Sequence, residues 1–200
     1  MEIQNNKEEV PFSYYAELYA KADKEEIASR LGISGENGIF SLVLMGKTYA
    51  VTENVEITDG EGKAPALPVQ TFLLRYLLEG KQIPFLGQWK TFREMPWGEL
   101  YIKPYTGRVL TRAAFTFGTR VEAFRRAAEK MGAAPVNHGD AGFEFTLVGD
   151  YRIQLLVWAG DEEFPPSAQV LYSDNFEEGF APEDRVVAGD ILITAIKANM

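Results

Sequence analysis

Two hairpin patterns constrain the fold of this chain more than any other feature. GIFSLVLMGKTYAVT, residues 38–52, and GFEFTLVGDYRIQLLVW, residues 142–158, alternate apolar and polar side chains around a glycine followed by a polar residue. Such a pair between alternating runs is typical of a tight turn joining antiparallel strands. We predict turns at Gly46-Lys47 and at Gly149-Asp150. The predicted strands lie near residues 39–45, 48–52, 143–148 and 151–158.

Helical patterns precede and follow each hairpin. In residues 14–31, Asp23 occupies an N-cap position with Glu26 at the spacing of a capping box, and Gly32 ends the helical pattern. The other predicted elements are a helix ending at Gly80, a helix pair near 108–116 and 119–131 with Thr119 as N-cap of the second, a strand at 168–172, and a C-terminal helix just after Pro182.

These elements predict an α+β fold in which a mainly antiparallel sheet, built from two hairpin-containing halves, is covered by helices. The halves span residues 14–80 and 108–198, and an aromatic, proline-rich segment with little periodicity, residues 81–107, joins them. Their similarity has two interpretations, an internal repeat or the ordinary likeness of hairpins. We predict a single domain over residues 1–200.

The composition is that of a soluble folded protein. The chain is 46% hydrophobic and 24% charged, which provides enough apolar surface for a core. No apolar run reaches the roughly 18 residues of a membrane span, and the acidic N-terminus is unlike a signal peptide. Without cysteine the chain forms neither disulfides nor thiolate metal sites. We therefore expect a cytoplasmic protein that is not bound to a membrane.

Charge is distributed unevenly along the chain. The net charge of −9 disfavours nucleic-acid binding, which requires a basic surface. Between Lys81 and Lys130, however, ten Lys or Arg residues stand against four Asp or Glu, a local charge of +6. The rest of the chain carries ten against twenty-five, or −15. A basic middle third in an acidic protein points to an anionic ligand or partner.

The basic middle third also contains the residues best suited to bind such a ligand. Its arginines lie on or beside the two central helices, where helix N-termini and guanidinium groups attract anions, and its tryptophans add flat apolar surface. The candidate site consists of Trp89, Trp97, Arg108, Arg112, Thr119 and Arg120. It would suit an anionic, partly aromatic molecule such as a nucleotide or a carboxylate-bearing cofactor. In the alternative interpretation, the aromatic residues belong to the core and the arginines pair with surface acids.

Two further groups are candidates for chemistry. Asp161–Glu163 in GDEEFPPSAQ, with Asp174, offer oxygen ligands for Mg²⁺ or Ca²⁺, but the stretch lacks the alternating ligands of a calcium loop. Prolines and charges suit an exposed connection, so we expect a solvent-exposed turn that holds no metal. His138, the only histidine, and Asp140 have the chemistry of a general base, yet they suit a polar turn equally well.

LLVWAGDEEFPPSAQVLYSDNF resembles the most recognisable signature of the family called domain of unknown function 3786. DKEEIASRLGI, GKTYAV, FLLRYLLEG and GQWKTFREMPWGELYIKPY resemble further stretches of that family, in the expected order. The resemblance implies no catalytic residue. It implies an origin in anaerobic bacteria or archaea, where some members are joined to iron–sulfur modules associated with corrinoid or one-carbon metabolism. Because this chain has no cysteine, such a metal centre would belong to a partner.

Two hypotheses of function follow. In the first, the protein is a non-catalytic binding or accessory protein for an anionic small molecule or a cofactor-bearing partner, which it binds through the basic, aromatic region. In the second, it is an enzyme whose acid and base groups are Asp140, His138 and Asp161–Glu163. No nucleotide-binding glycine motif and no serine nucleophile motif accompanies these residues. We favour binding, and the sequence specifies no cofactor.

Overall fold

The computed structural model of the protein describes residues 7–36 and 38–200. These residues form an α+β fold in which the paired strands are antiparallel, which confirms the predicted class. They group into two compact units divided between Gln82 and Ile83. The two predicted hairpins lie in two separate sheets, one in each unit, and not in the single sheet that we expected. The single domain with an internal repeat stays a prediction. Within the described residues, no helix combines the length and apolarity needed to cross a membrane.

The helices described in the first unit are α1 Glu9–Lys21, α2 Lys24–Leu31 and α3 Leu67–Glu79. Asp23 caps α2 as predicted, because its carboxylate accepts hydrogen bonds from the N–H groups of Glu25 at 2.8 Å and Glu26 at 3.2 Å. Gly32 ends α2 in the left-handed conformation, with φ of 61°. The second bond of the predicted capping box, from the Asp23 N–H to the Glu26 carboxylate, is wrong, since that carboxylate accepts a hydrogen bond from Arg30 at 2.9 Å.

The first sheet has the order β1-β2-β3-β4, with β1 Gly35–Glu36, β2 Ile39–Leu44, β3 Lys47–Thr52 and β4 Ile57–Asp59. The predicted β2–β3 hairpin is confirmed. Its turn, however, lies one residue earlier than predicted, at Met45-Gly46, and Lys47 is already paired with Leu44. Met45 and Gly46 have φ of 50° and 76°, as a turn with two left-handed central residues requires.

The second sheet has the order β5-β9-β8-β7-β6, with β5 Trp89–Thr91, β6 Ala134–Pro135, β7 Ala141–Val148, β8 Tyr151–Trp158 and β9 Ser167–Ser173. The β7–β8 hairpin and the strand at 168–172 are confirmed. The turn lies at Gly149-Asp150 as predicted, with φ of 55° at Gly149.

The helical elements described in the second unit are a 3₁₀ turn Phe92–Glu94, α4 Gly98–Tyr105, a π-helical turn Thr106–Thr111, α5 Arg112–Phe117, α6 Val121–Lys130, α7 Phe176–Gly179 and α8 Pro182–Ala198. The low regularity predicted for residues 81–107 is wrong, because β5 and α4 lie there. Thr119 as an N-cap is also wrong: the N-cap of α6 is Arg120, which makes no side-chain capping bond.

The core of the second unit lies between its sheet and the helices α5, α6 and α8. The ring of Phe124 on α6 contacts Phe117 at a centroid distance of 5.1 Å and Phe143 of β7 at 5.5 Å. Leu155 of β8 and Ile193 of α8 are fully buried. The exposed side chains of α4, the π-helical turn and α5 contribute most of the candidate site.

Candidate functional site

The surface that best fits a binding site is formed by one continuous helix, which we call the long helix: α4, the π-helical turn and α5, residues 98–117. Its backbone stays helical at both junctions, with φ and ψ of −56° and −47° at Thr106 and −61° and −44° at Arg112. Pro104 lies inside α4. A proline lacks the N–H and crowds the carbonyl four residues earlier, so the regular hydrogen-bond pattern is interrupted and a wider π turn follows.

Trp97 precedes the long helix in a strained backbone conformation. Its φ and ψ are 66° and 0°, in the left-handed region, which a bulky residue rarely adopts and which costs on the order of 1–3 kcal/mol. Trp97 is nevertheless 67% exposed, so burial of the indole does not offset this cost. Strain of this kind persists only where the surrounding structure imposes it, and it concentrates at functional sites.

Three features impose the Trp97 turn. The N–H of Gly98 donates to the carbonyl of Met95 at 3.0 Å and closes the turn. Gly98 also packs so closely that a Cβ there would lie 2.0 Å from the Phe92 carbonyl oxygen. From α8, the guanidinium of Arg185 donates to the carbonyl of Pro96 at 2.8 Å. The turn is therefore fixed on both sides of the tryptophan.

Further apolar side chains are exposed on the first turn of the long helix. Leu100 is 73% and Tyr101 40% exposed, three and four residues after Trp97. We call Trp97, Leu100 and Tyr101 the Trp97 patch. Grouped exposed apolar residues, unlike scattered ones, mark interaction sites.

Arg108 and Arg112 lie one turn apart on the long helix and both bind Asp190 of α8. The Arg108 Nε donates to Asp190 Oδ2 at 3.0 Å and the Arg112 Nη1 to Oδ1 at 3.1 Å. Arg108 also binds Glu183 at 3.3 Å, and Arg112 the Thr194 hydroxyl at 2.9 Å. Burial lowers the pKa of Arg108, but Asp190 and then Glu183 outweigh it, so the net shift is upward. We call Arg108 and Arg112 the arginine pair.

A close helix crossing brings the arginine pair to Asp190. The π-helical turn packs on α8 at Gly189, where a Cβ would lie 2.8 Å from Cγ1 of Val109 and 3.3 Å from the Tyr172 hydroxyl. Without a side chain at Gly189, the two backbones approach closely. Asp190, the next residue on α8, is then within reach of both guanidinium groups.

The other predicted site residues lie apart from this surface. Trp89 is part-buried in β5, where its ring contacts Phe85 at a centroid distance of 5.0 Å. Thr119 and Arg120 are exposed in the turn before α6, and Arg120 donates to the carbonyl of Thr116 at 3.3 Å. No hydrogen bond, ion pair or ring contact in the described part of the chain joins them to the Trp97 patch or the arginine pair. A site made of all six residues stays a prediction.

The acidic stretch Asp161–Glu163 is a solvent-exposed turn, as predicted. The Asp161 carboxylate accepts hydrogen bonds from the N–H groups of Phe164 at 2.7 Å and Glu163 at 2.8 Å, and these bonds lower the pKa of Asp161. Asp161 therefore stabilises its own turn. In residues 7–36 and 38–200, no three His, Asp or Glu side chains group as metal ligands.

Asp174 does not join this acidic stretch, because its carboxylate holds the loop that leads into β5. It accepts hydrogen bonds from the N–H groups of Leu86 and Gln88, both at 3.1 Å. The neighbouring Asn175 donates to the carbonyl of Ile83 at 2.8 Å. Asp174 and Asn175, which belong to the string that resembles the family signature, therefore hold the loop before β5 in place.

The proposed acid and base residues of this loop, Asp140 and His138, are exposed, and the Asp140 carboxylate binds the backbone. Asp140 accepts a hydrogen bond from the N–H of Ala159 at 2.8 Å through its carboxylate, and its carbonyl accepts one from Arg125. His138 is exposed in the same loop. Asp140 therefore lies near the end of β8, which only two residues separate from Asp161, but its carboxylate stabilises the fold there.

The family model of domain of unknown function 3786 (DUF3786) matches residues 23–195 of the chain. The protein belongs to this family. The matched range extends over both units and includes the Trp97 patch, the arginine pair and the acidic turn, so the DUF3786 model covers the whole candidate site. No curated protein and no solved structure matches the chain.

Sequence reasoning missed three residues of the site: Gly98, Arg185 and Asp190. Gly98 gave a signal, since Pro-Trp-Gly is a turn sequence. Asp190 gave a weaker one, because Gly189 inside a helical pattern indicates close approach of another element. Arg185 gave none, because a charged residue in the first turn of a helix is ordinarily exposed.

Proposed function

We propose that this protein is a non-catalytic accessory protein that binds a cofactor-bearing protein partner through the outer side of the long helix. The observation that carries the proposal is Trp97, an exposed indole on a strained turn that other residues impose. Neither the strain nor the exposure stabilises the chain by itself, so a binding role accounts for both.

The residue types on this side of the helix support a protein partner. Tryptophan, tyrosine and arginine are the side chains that most often dominate the free energy of protein–protein association. Trp97 and Tyr101 occur together at one end, and Arg108 and Arg112 follow on later turns. Phe115 extends the exposed apolar surface toward the end of the helix.

The length of the surface favours a macromolecule over a small anion. Arg108 follows Trp97 by eleven residues. At a rise of 1.5 Å per residue, the two positions lie about 16 Å apart along the helix axis. A compound of a few atoms cannot contact both ends, whereas a typical protein interface, with about 800 Å² on each side, spans that distance.

The charges near the arginine pair favour an acidic partner surface. The side chains of Arg108 and Arg112 are 46% and 38% exposed, whereas that of Asp190 is 23% exposed, so the pair presents N–H groups to solvent while it holds Asp190. A partner carboxylate or phosphate can bind on this open side of the pair. Lys103, exposed between the patch and the pair, adds a further positive charge. The net charge of −9 continues to argue against nucleic acid as the partner.

The partner, in this proposal, supplies any metal centre. The family resemblance gives the expectation of an iron–sulfur or corrinoid centre in an anaerobe. Protein-ligated iron–sulfur clusters are held by cysteine thiolates, of which this chain has none. We accordingly expect the protein to act in the cytoplasm beside such a partner.

The test compares partner retention by variants purified under anaerobic conditions from cells that make the protein naturally, with native mass spectrometry as the readout. The double variant Trp97→Ala, Leu100→Ala removes the patch, and Arg108→Ala, Arg112→Ala removes the pair. We expect the first to abolish retention and the second to weaken it at least about tenfold. Tyr14→Ala, at a position 57% exposed on α1, is the matched control and should retain the partner.

Equal retention by the patch variant and by the Tyr14→Ala control would sink the proposal. Retention of a small anion in place of a protein, lost in the Arg108→Ala, Arg112→Ala variant, would replace the partner with a small-molecule ligand. Substrate turnover abolished by Asp140→Asn or His138→Gln would instead favour the enzyme.

A further inference from the structure

Arg185 is the largest of the fully buried side chains, at 2% exposure, and it lies in the first turn of α8. Its guanidinium donates to two backbone carbonyls, those of Pro96 at 2.8 Å and Glu177 at 2.9 Å. Among the described residues its Nε has no hydrogen-bond partner, and the carboxylates of Glu177 and Asp184 act on it through space. Burial outweighs these charges and lowers the pKa of Arg185.

A buried guanidinium with an unsatisfied N–H group is an unfavourable arrangement for stability. Taking a charge out of water carries a large desolvation cost, and apolar side chains of similar volume often replace buried charges without loss of stability. Core packing alone therefore gives no reason for an arginine at this position. The explanation has to come from what its two N–H donors hold.

One acceptor carbonyl belongs to the Trp97 turn, and the other belongs to a residue that binds the segment leading into this turn. The Pro96 carbonyl belongs to the peptide group that directly precedes Trp97. Glu177 lies in α7, and its carboxylate forms an ion pair with Lys90 of β5, just before the 3₁₀ turn that leads to Pro96. Arg185 thus ties α8 and α7 to the peptide that sets the left-handed conformation of Trp97.

We infer that Arg185 is a positioning residue for Trp97, which fixes the direction of the indole before the partner binds. The inference rests on the proposed function for its purpose, but its geometric part concerns Trp97 alone. A fixed anchor loses less conformational freedom on binding than a mobile one, so fixing the turn strengthens association. Gly98 sets the space for the turn, and Arg185 sets its orientation.

The experiment measures the mobility of Trp97 in a protein that has no other tryptophan, obtained with Trp89→Phe and Trp158→Phe. Time-resolved fluorescence anisotropy and acrylamide quenching report the freedom and accessibility of the indole. We expect Arg185→Met to increase both the local motion and the quenching of Trp97. Arg185→Lys, which keeps the charge but cannot donate to both carbonyls with a planar fork, should give an intermediate result.

Leu192→Ala is the matched control, because Leu192 is fully buried on the same helix and does not bond to the Trp97 turn. It should lower thermal stability while leaving the anisotropy decay of Trp97 unchanged. If Arg185→Met does not fold, Arg185→Lys carries the test by itself. Trp97 motion in the folded Arg185 variants that equals that of the Leu192→Ala control would overturn the inference.

Partner retention separates this inference from the proposed function. If both are right, Arg185→Met keeps its fold and loses at least about tenfold in retention, as the Trp97→Ala, Leu100→Ala variant does. If only the proposed function is wrong, Trp97 still becomes mobile in Arg185→Met, while neither variant changes retention. If only the inference is wrong, the patch variant loses the partner and Arg185→Met leaves both Trp97 mobility and retention unchanged.

Discussion

Gly98 and Gly107 are both glycines of the long helix, but only Gly98 lacks space for a side chain. A Cβ at Gly98 would lie 2.0 Å from the oxygen and 2.9 Å from the carbon of the Phe92 carbonyl, which are backbone atoms. At Gly107 no described atom outside the neighbouring backbone lies within 4 Å of that position. The two glycines therefore form a matched pair for the same substitution.

We predict that Gly98→Ala lowers the free energy of unfolding by about 2 kcal/mol or more, because the turn must shift to relieve the clash. Gly107→Ala should raise it by up to about 1 kcal/mol, because alanine loses less backbone entropy in a helix than glycine. Urea unfolding followed by tryptophan fluorescence measures both, since the three tryptophans lie in the second unit. Equal effects of the two substitutions would show that the turn has room for a side chain.

Arg30 connects two helices of the first unit through backbone carbonyls. Its guanidinium donates to the carbonyls of Leu77 at 2.7 Å and Leu78 at 3.0 Å, and also to that of Gly80. These groups belong to the C-terminal end of α3, where carbonyls lack helical partners and the helix dipole favours a positive charge.

Arg30→Ala should therefore lower the free energy of unfolding of the first unit by about 1.5–3 kcal/mol, the usual range for hydrogen bonds to a charged group. Lys21→Ala, which removes an exposed pair with Glu17, should change it by less than about 0.5 kcal/mol. Amide hydrogen exchange of α3 is the appropriate measurement, because tryptophan fluorescence does not report this unit. Unchanged protection of the last turn of α3 in Arg30→Ala contradicts the prediction.

The long helix and α8 pack closely where they cross. A Cβ at Gly189 would lie 2.8 Å and 2.9 Å from the two methyl groups of Val109, so only one of the two positions has room for a larger side chain. We predict that Gly189→Ala and Val109→Ala each destabilise the protein by about 1–3 kcal/mol, the first by overpacking and the second by leaving a cavity. The double variant should cost less than the sum by about 1 kcal/mol, because the new methyl group fills the space that valine leaves. Additive effects in urea unfolding would show that the two positions are independent.

At the scale of elements, the hairpins were predictable because their signals are local. A glycine turn and alternating side chains lie within a single stretch of sequence, and an antiparallel pair forms from that stretch alone. The exception, the turn at Met45-Gly46, depends on Met45 adopting a positive φ, for which methionine gives no signal. The α4 helix was not predictable, because Gly98 and Pro104 are helix breakers whose effect is overridden by packing of the long helix on α8 and β9.

The candidate site was predictable in part, because some of its residues give a local signal in the sequence. Trp97, Arg108 and Arg112 stand out by charge and residue type; the two arginines lie on the long helix and Trp97 directly before it. Their partners do not stand out, since Asp190 is 78 residues from Arg112 and Arg185 is 89 residues from Pro96. Contacts over such separations depend on how helices cross, which a single sequence does not specify.

For the whole molecule, buried tyrosines in both units make stability sensitive to high pH. Burial, with Glu53 as a second cause, raises the pKa of Tyr19 to about 12, and burial raises the pKa of Tyr105 well above its ordinary value of 10. Because these folded-state values exceed the unfolded value, the protonated tyrosines contribute stability that is fully present below about pH 10. We predict that this stability is lost as pH rises toward 12, with cooperative unfolding in that window. Tyrosinate absorbance should therefore rise together with the loss of far-ultraviolet circular dichroism, and tyrosinate formation in a protein that stays folded would contradict the prediction.

The division between Gln82 and Ile83 predicts which fragments of the chain fold. Residues 83–200 contain the complete five-stranded sheet, the long helix and α8, so we expect this fragment to unfold cooperatively with a native tryptophan spectrum.

Residues 108–200 begin at the boundary that the sequence suggested for the second half, but they lack β5, which pairs with β9, and about half of the long helix, which packs on α8. We expect this shorter fragment to be unfolded or aggregated, because the buried Tyr172 of β9 loses its contact with Tyr105, whose ring stacks on Phe92. The measurement is urea unfolding of both fragments by fluorescence and circular dichroism. A cooperative transition in 108–200, or none in 83–200, would show that the second unit is divided elsewhere than its contacts indicate.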